Sequence, residues 1–201
     1  MKPKNIPGVP QQLGGGFHDS ESVRNMKPDE DVDVQFHLLK ERFFAVNYWK
    51  NFCPGSTADF KLCNYKGEII ERLPQKGDYV RIDIPGPGGT VGRSYDWVVI
   101  DWIDFGSDNR ILIQCSPSKD PKFPDSKKIA HFFSDKSTST FVIAKGADCI
   151  LAGVYGRNES PNLNSGFVNC IRNLIIAVGA SLGFSKIQWK CFVEGMLDFE
   201  K

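Results

Sequence analysis

From Gly77 to Gly156 the chain repeats one pattern: short apolar runs of strand length, parted by turns rich in Pro, Gly and Asp. Val80, Ile82 and Ile84 alternate with Tyr79, Arg81 and Asp83, which predicts a half-buried strand over 79–84. Further strands are predicted over 97–105, 111–115, 129–133, 139–144 and 149–155. Upstream, the aromatic run from Arg42 to Lys50 reads as another strand, with 58–63 and 68–73 completing a meander. Downstream, Phe167, Ile171, Leu174, Ile175, Val178 and Leu182 make a helical stripe ending at Gly183. Ser185 to Gln188 then fits a capping box for a second helix, whose stripe is Trp189, Phe192, Val193, Met196 and Leu197. The expected fold is α+β: a mainly antiparallel sheet or partly closed barrel of about eight strands, followed by two C-terminal helices.

Residues 1–34 read as a flexible leader, because prolines, a glycine triplet and the acids Asp29, Glu30, Asp31 and Asp33 leave little apolar surface to offset ordering. Residues 35–201 then form a single α+β domain. A docking arm is the alternative for the leader.

Composition narrows the function classes. A net charge of +1 offers no general field for nucleic acid or anionic membranes, and Lys119, Lys122, Lys127 and Lys128 are interleaved with acids in one loop. No run is long enough to span a bilayer. Met1 to Gly16 lacks the apolar core of a signal peptide, so a cytoplasmic location is expected. The six cysteines show no Cys-x-x-Cys spacing and read as buried thiols, and with three histidines scattered along the chain neither metal nor cofactor is expected.

The glycine-rich stretch from Pro85 to Arg93 precedes a strand rather than a helix, so it reads as a hairpin loop and not as a phosphate cradle. Asp101 and Asp104, three apart on a strand, point to opposite faces and cannot converge. His131 with Asp135 is the weak catalytic candidate, set against a packed core histidine. Arg157, Asn158 and Glu159 form a polar cluster at a strand end, where binding groups tend to lie. With Trp97 and Trp102 they are the candidate ligand or partner residues.

The main functional expectation is a non-catalytic interaction or assembly module with a protein partner or self-association, since large apolar residues are abundant and reactive groups scattered. The alternative is a pocket for a small apolar molecule lined by Trp97, Trp102, Phe132 and Phe141. Many strands followed by a helix resemble the helix-grip lipid- and polyketide-binding proteins, which implies a curved sheet wrapped round a C-terminal helix. The chain departs from that family in its two terminal helices broken at Gly183. A hydrolase or isomerase using His131 ranks third and nucleic-acid binding last.

Overall fold

The computed structural model describes residues 2–52, 58–83, 95–162 and 181–199. Seven strands form one antiparallel sheet: β1 (Gly16–Asn25), β2 (Asp59–Cys63), β3 (Tyr79–Asp83), β4 (Asp96–Ser107), β5 (Arg110–Pro117), β6 (Thr138–Lys145) and β7 (Cys149–Glu159). Their order across the sheet is β1-β7-β6-β5-β4-β3-β2. Consecutive strands therefore pair as neighbours everywhere except at β1, which joins β7. The α+β antiparallel architecture is the expected one.

The first 34 residues differ from the expected leader. Gly16–Asn25 is an edge strand, and its alternation is carried by polar residues, with His18 and Ser20 facing inward. Ahead of it, residues 4–15 run across the outer face of the sheet. Ile6 and Val9 pack there on Leu112, Val142 and Tyr155, which explains why the central strands are apolar on both faces.

A second difference is the predicted strand over 42–50. Helix α1 (Val32–Phe44) begins where Asp31 caps it, its carboxylate accepting from the amides of Asp33 and Val34. Phe36, Leu39 and Phe43 then fall on one buried face. A 3₁₀ turn (Val46–Tyr48) and the short α2 (Trp49–Phe52) continue it. Trp49 Nε1 donates to the Phe43 carbonyl at 3.0 Å, fixing the ring over the sheet. The predicted strands over 68–73 and 129–133 are reduced to isolated bridges at Ile69 and Phe133.

Helix α3 (Ser181–Leu197) runs unbroken through Gly183 and Ser185, so neither the predicted stop nor the cap forms there. The rest of the predicted first helix and the Pro85–Arg93 loop lie outside the described residues. The predicted second stripe does bury itself: Phe192, Val193, Met196 and Leu197 are core, with Trp189 packed against it. Arg42 of α1 donates to the carbonyls of Gly195 and Asp198, placing a cation at the helix's negative end.

α3 lies across the inner face of the sheet, and Trp189 meets rings from both of its edges. Its centroid is 6.3 Å from His18 on β1, 6.1 Å from Phe60 on β2 and 5.4 Å from Phe141 on β6. A flat sheet of seven strands at about 4.8 Å spacing would hold its edges almost 30 Å apart. One indole reaches both only because the sheet curls around the helix.

The outer arm is held by Arg157, which is 1% exposed. Its Nη1 protons go to the carbonyls of His18 (3.2 Å) and Gly156 (2.8 Å), and Nη2 donates to Lys4 O at 2.8 Å. Asp19 Oδ1 lies 2.7 Å from Nη1 and balances the charge, while Asp19 Oδ2 accepts from the Lys4 amide. Breaking one member of a buried pair strands the other charge. Arg157→Met is expected to cost about 3–5 kcal/mol in urea unfolding. Adding Asp19→Leu should restore part of that loss; a double variant no better than the single would show that the pair is not coupled.

Candidate functional site

A single backbone irregularity sorts the polar cluster at the end of β7. Gly16 pairs with Glu159 and His18 with Gly156, so β7 carries one residue more than β1 between those pairs. Asn158 takes up the extra residue with φ at 55°, a left-handed conformation that Asn tolerates. Arg157 and Glu159 would otherwise share a face. The bulge sends Arg157 outward to Asp19 and turns Glu159 inward to His18.

His18 Nδ1 lies 2.8 Å from Glu159 Oε1, and both side chains are 2% exposed. Gly156 makes this possible: a Cβ at that position would overlap the His18 ring and the Glu159 carboxylate. His18 stacks nearly parallel to Trp189, at 6°. His18 Nε2 and Glu159 Oε2 are buried and have no hydrogen-bond partner among the described residues. Such groups are costly to leave unmade, so this pair is the most distinctive chemistry on the inner face.

Beside it the interior is aromatic. Trp189, Phe141, Phe60, Trp49 and Phe192 form a network of ring contacts 5.0–6.1 Å apart. A cavity of about 10 Å³ lies among Trp49, Phe60, Ile100, Ile113 and Phe141, with a wholly apolar lining. That is space for one water at most. On the same parity of β4 as Val98 and Ile100 sits Asp96, 7% exposed. Burial pushes its carboxyl up to about 7.

The expected cavity lining is largely elsewhere. Phe141 lines the interior, but Trp97 faces the outer side against Tyr79, and Trp102 is 40% exposed beneath the arm at Gly8. Phe132 stacks on His131 at 4.4 Å in the loop after β5. His131 is buried there. Its Nδ1 accepts from the Phe133 amide at 2.9 Å and its carbonyl accepts from Asn162, while Asp135 is exposed. These contacts are those of a packed, hydrogen-bonded histidine, and no contact joins it to Asp135 among the described residues. Asn158 holds the arm: its Oδ1 accepts from the Leu13 amide at 2.7 Å and its Nδ2 donates to Gln11 O at 3.1 Å. Arg157 and Glu159, neighbours in sequence, serve opposite faces.

Burial raises Cys63 and, more strongly, Cys115, and a thiol that keeps its proton is a poor nucleophile. Sequence reasoning named Glu159 but not His18, Asp96 or Trp189.

No family model matches the sequence, and no curated protein does. Solved structures do match in shape. A hypothetical protein from Helicobacter pylori is 8% identical, with 100% of this chain and 99% of that chain covered at a TM-score of 0.55. Norcoclaurine synthase from Thalictrum flavum, solved with dopamine and hydroxybenzaldehyde, is 10% identical over 92% of this chain and 88% of that chain, at 0.45. A major latex-like protein from Panax ginseng is 11% identical over 91% and 97%, at 0.43. The first shows that the two chains share a fold. No helix among the described residues is long and apolar enough to cross a membrane.

Two buried groups give opposite pH signatures. Burial lowers His131 from 6.5 to about 3, so its stabilising contribution is complete above pH 6.5 and is lost as pH falls toward 3. Asp96 rises from 3.8 to about 7, so its contribution is complete below pH 3.8 and is lost as pH rises toward 7. Relative to the parent, His131→Asn should therefore gain stability on acidification from pH 6.5 to 4, and Asp96→Asn should gain on going from pH 4 to 8. Urea unfolding across that range checks both; curves parallel to the parent would contradict the burial of these groups.

Proposed function

We propose that the protein binds a small apolar, aromatic-compatible molecule between the curled sheet and α3. The observation that carries this reading is the inner face itself, where Trp49, Phe60 and Phe141 line a small apolar space and Trp189 packs beside it on Phe60 and Phe141. Ligand sites are typically apolar and aromatic with a few placed polar groups, and the inner face offers that composition. The space among the described residues has room for one water at most, whereas a ligand needs some hundreds of Å³. Entry therefore requires the inner face to open around Trp49, Phe60 and Phe141.

Assembly through an apolar surface is less well supported. It rested on a surplus of large apolar groups, yet Phe36, Phe43, Trp49, Phe60, Phe141 and Phe192 are spent on one core, and the arm covers part of the outer face. The binding reading needs neither a protein partner nor self-association.

Titration with N-phenyl-1-naphthylamine, an uncharged fluorophore, is expected to show saturable one-to-one enhancement with quenching of tryptophan emission. No saturable signal up to the probe's solubility limit, on protein that melts cooperatively, would refute the proposal.

A further inference from the structure

Building on that ligand-binding reading, we propose that His18 and Glu159 are its polar anchor and take the hydroxyl of a phenol or aromatic alcohol whose rings lie against Trp189 and Phe141. Both side chains are almost wholly buried, at 2% exposure each. Each spends one atom on the other, through the 2.8 Å contact between Nδ1 and Oε1. Each keeps one atom unpartnered among the described residues, Nε2 and Oε2.

The chemistry of those two atoms selects the ligand. A carboxylate has no proton to give, so Nδ1 carries the hydrogen and donates it to Oε1. Where the imidazole is neutral, Nε2 is then its lone-pair nitrogen, held in that tautomer by Glu159 in the way a carboxylate orients a histidine elsewhere. In that form both free atoms are acceptors. A ligand that satisfies them must bring a donor, which excludes carboxylate and phosphate heads. An ammonium would surrender its hydration on entering an apolar site, a far larger cost than desolvating a hydroxyl. A neutral O–H, giving its one hydrogen to one of the two atoms, is a head group that fits, and the stacking of His18 on Trp189 places it beside an aromatic surface suited to a ring body.

The pair also ties β1 to β7, and a purely structural role would affect stability without discriminating between ligands. Equilibrium dialysis with 2-naphthol and naphthalene, which share a ring body and differ by the hydroxyl, separates the two roles. The parent protein is expected to bind 2-naphthol at least about tenfold more tightly than naphthalene, the scale of one good hydrogen bond to a charged or polarised acceptor. His18→Leu should bring that ratio close to one, whatever its effect on the affinity for naphthalene itself. Glu159→Gln, which preserves shape and releases the tautomer, should lower the ratio as well and serves if the leucine variant does not fold.

Equal affinities of the parent for both probes would overturn the anchor and leave the apolar site standing. Binding of neither would overturn both. Preference for 2-naphthol that persists unchanged in both folded variants would place the hydroxyl elsewhere and equally defeat the assignment.

Discussion

The fold depends on the closure of a seven-stranded sheet around one helix. Antiparallel strands twist, and long twisted sheets must curl or split to keep their inner face dry. Here the curl is pinned by aromatic rings. Trp189 on α3 touches β1, β2 and β6, and Phe192 and Trp49 fill the angles between them. The arrangement also explains why so many large aromatic residues occur in a chain of this size: they span a gap that smaller side chains would leave open.

On this closed surface the bulge at Asn158 separates two kinds of electrostatics. Outward, the Arg157 guanidinium donates to three backbone carbonyls, lies beside Asp19 and fastens a stretch of backbone. Inward, a histidine and a carboxylate share one contact and leave one buried atom each unpartnered among the described residues. Buried polar groups left incomplete are where binding chemistry is worth seeking.

The strands from β3 to β7 were legible in the sequence because each alternates or runs apolar between turn residues, as 79–84 and 139–144 do. β1 was not, because its alternation is written in His, Asp, Ser and Glu, which no hydropathy pattern registers. Helix α1 was hidden by its aromatic tail: the spacing Phe36, Leu39, Phe43 was present, but the run after Arg42 suited a pleated surface equally well. The capping acid Asp31 was visible too, and was absorbed into a run read as disorder. Half of the inner polar pair was named as Glu159. Its partner lies 141 residues away, a pairing that only topology supplies. Trp97 sits on the outer face with Tyr79, opposite in parity to Val98 and Ile100, and the bulge between Ile100 and Trp102 turns Trp102 to that face as well.

The pairing of the first strand with the last has a consequence for how the molecule is made. While the chain leaves the ribosome, Gly16–Asn25 must wait for Cys149–Glu159 to emerge before it finds its neighbour. The central hairpins can form in passing, since they join adjacent segments, but the closing seam cannot. Joining such distant segments is slow. A polar first strand suits that delay, because it can stay solvated without seeking other chains until its place in the sheet exists.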